Sequence, residues 1–387
     1  MNTLTIPNLR KEVAVILRKQ GYAVKPSGFF ILKNDGREEK RKAHELAKAE
    51  RVNKSEEFLL DKIPLIQKHL IDGKDLDVSK IDPEIIEVES GSQEEDFFRW
   101  WNIVWWSLPY ERAYGRQMRF IIWDKYHNAP IGLIGLQSPI LSWGARDKHL
   151  GIKPNERDFW VNQSLNAQRV GALPPYNDIR GGKLVALLMT ADSIRKKFQK
   201  KYKDQKTLLL GRKIPSNLLF ITTTGAYGKS SVYNRLKFNG EVVSEFVGYT
   251  QGSGTFHIPN ALYEDLISYL KKRGLETERG YGNGPSRKLR LIDQALQLLG
   301  FASGITHGIK RAVYLFPLAK NIKEVIQLGK RPFWHHRGIE EMAQFWKERW
   351  AIPHSEKDKT YQGFSKEEFI KQTRKDIKKY KQLCKNI

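Results

Sequence analysis

Helical and strand-like hydrophobic spacings alternate along the chain, and each predicts its own elements. Over residues 6–67 apolar positions recur at helical spacing, interrupted by a patch at 28–36 where alternating residues meet a turn signal and indicate a hairpin. The stretch 37–54 is almost wholly charged, which is typical of a solvated helix face, with a DNA-contacting helix as the alternative. An acidic stretch with Gly and Ser, 87–96, follows as a linker. The pattern predicts a small helical N-terminal domain over residues 1–90.

The next apolar run, 97–106, is dense in tryptophan and phenylalanine. Aromatic rings interleaved with Arg can stack on bases, but an amphipathic run in front of a sheet favours a helix buried against that sheet. Beyond Pro109 the hydrophobic period changes to two, which predicts strands over 118–123, 131–141 and 160–173.

A second set of elements completes a predicted β-β-β-α-β-α-β-β order. A helical run covers 183–202, a strand covers 217–224, a short helix covers 230–236, and two further strands end at 256–258. Together these elements predict an α/β domain over residues 91–265, with a mixed central sheet flanked by helices.

The charge of the chain points to its partner. The segment 266–387 has helical spacing and a lysine-rich tail, which predicts a basic helical C-terminal extension. The whole chain carries 67 Lys and Arg against 43 Asp and Glu, a formal net charge of +24. Such an excess favours an anionic partner, and nucleic acid, DNA in the first place, is the usual one. The residues predicted to contact it are Arg287, Lys288, Arg290, Lys310, Arg311, Arg331 and Trp334.

Cysteine content and hydropathy narrow the function classes. The single cysteine, Cys384, excludes a disulfide framework and a cysteine-rich zinc module. The adjacent His335 and His336 lack the spacing of a ligand set, so we predict no metal site. Charged residues begin too early for a signal peptide, and no apolar run approaches the roughly 18–20 residues of a membrane span. We therefore expect a cytoplasmic protein without a membrane partner.

A glycine pair in front of a predicted helix is a candidate anion site. Gly181 and Gly182 allow close approach of the backbone, the helix N-terminus presents unpaired N–H groups, and Arg180 and Lys183 add positive charge. These four residues could hold a pyrophosphate. A tight turn with a solvated lysine has the same pattern, and the spacing is not that of a Walker loop.

Polar residues between the predicted strands are candidates for acid–base chemistry. Asp147 and His149 supply a carboxylate and an imidazole close together in sequence. An Asp that caps a turn and pairs with Arg146 has the same pattern. Metal-assisted strand cleavage would need several convergent carboxylates, for which Asp124, Asp147 and Asp178 are the candidates, although their spacing matches no recognised pattern.

The order strand, glycine-containing loop, helix and strand resembles the GNAT acyltransferase fold, in which a Tyr-x-x-x-Gly-Phe signature follows on a short helix. The segment 233–238, Tyr-Asn-Arg-Leu-Lys-Phe, is similar to that signature, with Lys in the glycine position. The resemblance implies a GNAT-like central sheet, Tyr233 as general acid beside the sulfur of an acyl carrier, and an acyl-coenzyme A type ligand at 180–183. The usual Arg/Gln-x-x-Gly-x-Gly/Ala of that fold is matched there only in part.

Longer ordered strings resemble the DruA family of Druantia anti-phage proteins. They cover residues 114–120, 131–139, 145–151, 165–188 and 222–238. The resemblance implies a role in bacterial defence against phage, commonly beside a large helicase-like partner. A more distant likeness to the Mom type of DNA-modifying acyltransferase rests on the glycine-containing loop and on the Tyr233 region.

Three functions stay open at this point. The first is an enzyme that transfers a group to a base or a protein, with Tyr233 as its acid. The second is a non-catalytic DNA-binding adaptor that recruits a helicase or a nuclease. The third is a nuclease or transposase-like enzyme.

Overall fold

Seven strands form one mixed sheet at the centre of the protein, whose computed structural model describes residues 5–34, 36–106, 108, 115–207, 211–253, 257–278 and 286–385. The described strands are Tyr22–Val24 (β1), Phe30–Leu32 (β2), Pro83–Glu87 (β3), Gln117–Asp124 (β4), Ala129–Gln137 (β5), Ser164–Ala172 (β6), Phe220–Thr224 (β7), Lys237–Phe238 (β8), Glu241–Val242 (β9), Glu245–Tyr249 (β10) and Ala312–Pro317 (β11). β1 pairs with β2, and β8 with β9, outside the main sheet.

Helices surround this sheet. The described helices are Ile6–Lys19 (α1), Arg37–Lys42 (α2), Glu45–Lys54 (α3), Glu56–Asp61 (α4), Ile63–Lys68 (α5), Gln93–Val104 (α6), Gly144–Leu150 (α7), Arg157–Val161 (α8), Gly181–Leu188 (α9), Asp192–Tyr202 (α10), Asn260–Lys272 (α11), Arg287–Leu298 (α12), Ile322–Leu328 (α13), Ile339–Trp346 (α14), Ile352–Lys357 (α15) and Lys366–Lys385 (α16). None of these described helices combines the length and the apolar character of a membrane span.

The strands of the sheet follow the order β3-β4-β5-β6-β7-β11-β10. Among the described strands, β6 and β7 are the one parallel pair, and they pair only from Ser164 opposite Phe220 to Asn166 opposite Thr222. β11 lies between β7 and β10 and is antiparallel to both. Every residue of β11 is buried, as expected for a strand with a neighbour on each side.

Helices pack on both faces of the sheet. On one face, α9 and α14 bury Leu188 and Trp346 against the apolar side of the strands. On the other face, α6 buries Trp100 and Trp101, which are both fully enclosed. The Ser92 side chain caps the N-terminus of α6, and the acidic first turn suits the positive end of the helix dipole. The prediction of a buried aromatic helix against the sheet is confirmed.

The N-terminal helix packs against helices from much later in the chain. α1 and the β1–β2 hairpin share one apolar core with α11 and α12, to which Leu17 and Leu266 belong. We call this unit, residues 5–34 with 257–278 and 286–309, the terminal lobe. The last described helix, α16, packs instead on α3 and α5.

All three segments predicted as domains contribute strands to the sheet. β3 comes from residues 1–90, β11 comes from 266–387, and the other sheet strands lie within 91–265. The segment 266–387, predicted to be helical, therefore also supplies a strand. A short, wholly apolar run such as Ala312–Pro317 has the same pattern in a buried strand and in a buried helix.

The mixed α/β sheet flanked by helices is confirmed, while several local predictions need correction. Residues 230–236 form turns rather than a short helix, since Arg235 has a left-handed φ of 57°. The third strand begins at Ser164, after a short helix, and the helical run 183–202 divides into two helices. The strand expected to end at 256–258 is absent at 257 and 258, and residue 256 lies outside the described part.

A buried carboxylate joins the end of β4 to the turn after β6. Asp124 is fully buried, and its Oδ2 accepts hydrogen bonds from Tyr176 Oη at 2.8 Å and His127 Nδ1 at 2.6 Å. The backbone N–H groups of Asp82 and Tyr126 donate to Oδ1. Burial opposes the ionised form, but the hydrogen bonds from His127, Asp82 and Tyr176 outweigh burial and lower the pKa of the Asp124 carboxyl.

Replacing Asp124 with Ala should destabilise the fold by about 3 kcal/mol, because the change leaves several buried donors without an acceptor. Tyr176→Phe removes one hydrogen bond to the same carboxylate and should cost only about 1 kcal/mol. Urea unfolding followed by tryptophan fluorescence measures both losses. Equal losses for the two variants would contradict the role assigned to the carboxylate.

Candidate nucleic-acid interface

A large cleft lies between the sheet and the terminal lobe, with a volume of about 3870 Å³. Its floor is formed by residues of β4, β5, β6 and β7, and its walls by α2, α3, α7 and the start of α12. Of the described residues that line it, sixteen are Lys or Arg and four are Asp or Glu. The cationic excess of the chain is therefore concentrated in this cleft.

One wall consists of the charged helices that the sequence indicated as a solvated face. Arg37 and Arg41 of α2 lie over the ring of Tyr227, at 5.7 and 5.9 Å from the ring centre. Lys48 Nζ of α3 donates to Val104 O at 2.8 Å, which attaches α3 to the end of α6. The cations of this wall are thus held over the cleft by aromatic and backbone contacts.

Asp147 lies at the start of α7 between two arginines. Its Oδ1 accepts from Arg146 Nε at 2.8 Å and Nη2 at 2.6 Å, and its Oδ2 lies 2.9 Å from Arg157 Nε. His149 Nε2 instead lies 2.7 Å from Glu245 Oε2. The structure therefore places Asp147 and His149 in two different networks, and the Asp147 carboxylate is occupied by its arginine partners.

Tyr233 lies at the gap where β6 and β7 diverge. Its hydroxyl donates to Val170 O of β6 at 3.3 Å, and its ring packs edge-on against Tyr314 at 5.3 Å between centroids. Thr223 Oγ1 donates across the same gap to Ala167 O at 2.7 Å. Burial raises the pKa of the Tyr233 hydroxyl, which makes it harder to ionise. Two side chains thus bridge the diverging strands.

Residues 180–183 form the N-cap and first turn of α9, outside the lining of the cleft. Arg180 has a left-handed φ of 65°, and its carbonyl accepts a hydrogen bond from Trp346 Nε1 at 3.1 Å. Lys183 Nζ donates to Ser231 O at 3.1 Å. Burial, together with Arg180, lowers the pKa of Lys183. The loop is thus packed against the chain just before Tyr233, but it does not share the cleft with the cationic walls.

Of the seven residues predicted to contact DNA, three line the cleft and four lie outside its lining. Three line the cleft, namely Arg287, Lys288 and Arg311. The others lie outside its lining, namely Arg290, Lys310, Arg331 and Trp334. Trp334 is covered by the guanidinium of Arg195, at 4.4 Å from the ring centre. The sequence reasoning missed the cations of the N-terminal half, for which the charged run at the start of α2 was the available signal.

The three carboxylates considered for a metal-assisted reaction lie in separate networks. Asp124 and Asp147 have the buried partners described above, and Asp178 accepts from Asn177 Nδ2 at 2.6 Å in a 3-10 turn. Within the described ranges, no group of three or more His, Cys, Asp and Glu side chains could hold a metal ion.

Two buried histidines, His44 and His307, lie near Arg311 where the cleft meets the terminal lobe. Arg311 Nη2 donates to His44 Nε2 at 3.2 Å, which requires a neutral imidazole. Burial, followed by the charge of Arg311, lowers the pKa of His44 to about 3. Burial likewise lowers the pKa of His257 and of His307 to about 4.

Acidification should destabilise the protein through these histidines. Their pKa values in the folded state lie below the unfolded value of about 6.5, so between pH 6.5 and about 4 the unfolded chain binds protons that the folded chain does not. Stability should therefore fall with pH across that window, by at most about 1.4 kcal/mol per unit for each histidine.

Urea unfolding at pH 7, 6 and 5 measures this slope. His44→Gln should flatten it, whereas the control His336→Gln changes an exposed histidine and should leave it as in the wild type. A free energy of unfolding that stays constant between pH 7 and 5 would show that the buried histidines titrate normally.

Comparison with known proteins places the chain in a family. A family model described as Druantia protein DruA matches residues 34–327. A Druantia protein DruA from Escherichia coli (strain UMEA 4076-1) is 33% identical over 358 residues, which cover 91% of this chain and 88% of the relative. No solved structure matches the chain. On the extent of both matches, the chain belongs to the Druantia protein DruA family.

Proposed function

We propose that this protein is the nucleic-acid-binding component of a bacterial anti-phage defence system, and that DNA occupies the cleft. The observation that carries the proposal is the lining of sixteen cationic against four anionic residues. Trp105, Tyr227 and Tyr249 also line the cleft and offer rings on which bases can stack. Membership of the DruA family supports the defence role.

Several cations of the cleft are not neutralised by the protein itself. Lys33, Lys42 and Lys148 are exposed at three separate places in the lining, and no carboxylate among the described residues pairs with them. A polyanion that replaces the counterions of such side chains gains the entropy of their release, so binding is strong and depends on salt. This arrangement supports binding of a phosphate backbone rather than of a single small anion.

The resemblance to DruA proteins also supports a helicase-like partner. In the proposed arrangement the cleft holds DNA without chemistry of its own, and the partner supplies the motor activity. The separate networks of Asp124, Asp147 and Asp178 favour this adaptor role over a nuclease, because metal-assisted cleavage needs carboxylates that converge.

The triple variant Lys33→Ala, Lys42→Ala and Lys148→Ala should bind DNA at least about 10-fold more weakly at physiological salt, because each lysine lost removes one phosphate contact. The slope of log affinity against log salt should fall by about 3 for the same reason. Fluorescence polarisation with a labelled oligonucleotide across a salt series measures both quantities.

The matched control is Lys323→Ala, Lys359→Ala and Lys378→Ala, which changes the net charge equally at exposed lysines outside the cleft lining. Its affinity should stay within about twofold of the wild type, since net charge alone acts weakly at physiological salt. Equal losses in the two triple variants would show that the charge acts diffusely and that the cleft is not the binding site.

A GNAT-like group-transfer site is the second candidate. The strand, loop, helix and strand order around β6, α9 and β7 supports it, as does the divergence of β6 from β7 after three paired positions. The bridging contacts of Tyr233 and Thr223 count against it, because they fill the space between the strands where an acyl carrier would have to enter.

We therefore expect millimolar coenzyme A or acetyl-coenzyme A to leave the melting temperature unchanged. Tyr233→Phe should keep DNA affinity and protection against phage, measured as efficiency of plating, at the wild-type level. A melting temperature raised by coenzyme A in the wild type but not in Gly182→Asp would instead establish the group-transfer site. The Gly182 substitution introduces a carboxylate at the helix N-terminus, 3.2 Å from Val232 at its Cβ.

A further inference from the structure

Polar side chains form a single row on four adjacent strands, and three of them, Gln117, Gln137 and Asn166, line the floor of the cleft. Gln117 lies opposite Gln137, Gln137 opposite Asn166, and Asn166 opposite Thr222. Gln117 is the exposed first residue of β4, whereas Gln137 is the buried last residue of β5. A buried amide in such a row needs a hydrogen-bond partner, and one that the protein does not satisfy points to a ligand.

Gln137 is the centre of the row. Only 7% of the residue is exposed, and its Oε1 is buried without a hydrogen-bond partner among the described residues. Next to it, the Thr222 hydroxyl donates to Asn166 Oδ1 at 3.2 Å, which leaves the Asn166 Nδ2 as the donor available to a ligand. The floor thus offers an acceptor and a donor side by side.

Arg116, which precedes Gln117 of the row, provides a cation. The Arg116 guanidinium lies over the rings of Phe198 and Tyr202, at 5.3 and 5.7 Å from their centres, and donates to Asn162 Oδ1 at 3.4 Å. No carboxylate in the described part of the chain pairs with it, and burial lowers its pKa. Backbone contacts fix its position, since Arg116 N donates to Ser138 Oγ at 2.9 Å. Arg116 is therefore a preoriented cation with free donors for an anion.

The combination of an amide row and a fixed arginine matches a nucleotide. The amides can hydrogen-bond the edge of a base, and the guanidinium can hold a phosphate. A base in a duplex keeps its pairing edge in use and its body inside the stack, so it cannot reach a recessed floor. An unpaired base can.

We propose that the side chains of Gln137, Asn166 and Arg116 form a pocket for one unpaired nucleotide. The cleft then selects single-stranded DNA over duplex. The proposal rests on the proposed function, because it takes nucleic acid as the occupant of the cleft. The lysines of the walls then supply affinity for any phosphate backbone, and the floor supplies the preference for an unpaired base.

The test compares a labelled single strand with the duplex of the same sequence, by fluorescence polarisation with the full chain. The wild type should bind the single strand at least about 10-fold more tightly, in line with the contribution of a stacked and hydrogen-bonded base. Gln137→Leu keeps the side-chain volume but removes the amide, and should lose most of this preference while its affinity for the duplex stays constant. Gln372→Leu, at an exposed site outside the cleft, is the matched control and should behave as the wild type.

Melting temperatures show whether a variant binds more weakly because its fold is less stable. Gln137→Leu removes a buried oxygen that has no partner, so its melting temperature should equal or exceed that of the wild type. A more stable variant with weaker single-strand binding would separate the binding role from a structural one. Arg116→Gln should weaken single-strand binding and reduce its salt dependence by about one phosphate contact.

The remaining outcomes have distinct meanings. A duplex with one unpaired, bulged nucleotide that binds as tightly as the single strand also supports the pocket. Equal affinity for single strand and duplex, or a Gln137→Leu variant that retains the preference, overturns the pocket but leaves the cleft as a binding site. A wall triple variant that still binds normally overturns the proposed function itself.

Discussion

The insertion of β11 between β7 and β10 is the constraint on which the rest of the structure depends. β10 and β11 are antiparallel neighbours, yet the chain between them, residues 250–311, contains α11 and α12 of the terminal lobe. Both ends of that excursion are therefore fixed in one sheet. Because α1 and the first hairpin pack onto α11 and α12, the sheet also fixes the N-terminal part of the lobe. The cleft lies between the sheet and the terminal lobe, which are joined through β10 and β11.

The distribution of charge follows from where carboxylates are buried. Asp124 and Asp147 are engaged inside the fold by donors that would otherwise lack acceptors. Lys33, Lys42 and Lys148 pair with no carboxylate in the described part of the chain, and their repulsion is relieved by counterions or by an anionic ligand. The lining of the cleft is thus predominantly cationic, with sixteen Lys or Arg against four Asp or Glu among its described residues.

Local patterns identified much of the fold but little of the site. The tryptophans of α6 and the period-two strands β4 and β5 could be predicted, because their burial is encoded in neighbouring positions. β11 could not, since six apolar residues alone do not distinguish a strand from a helix. The charged run that became α2 and α3 was interpreted as a solvated face, because nothing local shows that a wall faces a cleft. Gln137 and Asn166 are brought opposite each other only by the pairing of β5 with β6, whose register no local pattern specifies.

The position of β11 also sets an order of events during synthesis on the ribosome. α1 emerges first, with Leu9, Val13 and Leu17 on its apolar face, but its partners in α11 and α12 are translated more than two hundred residues later. Until then that face has no native cover and is a target for chaperones. β11 can pair along its whole length with β7 and β10 only after residue 317 has left the exit tunnel. Incomplete chains should therefore lack the cleft, and with it the surface proposed to bind DNA.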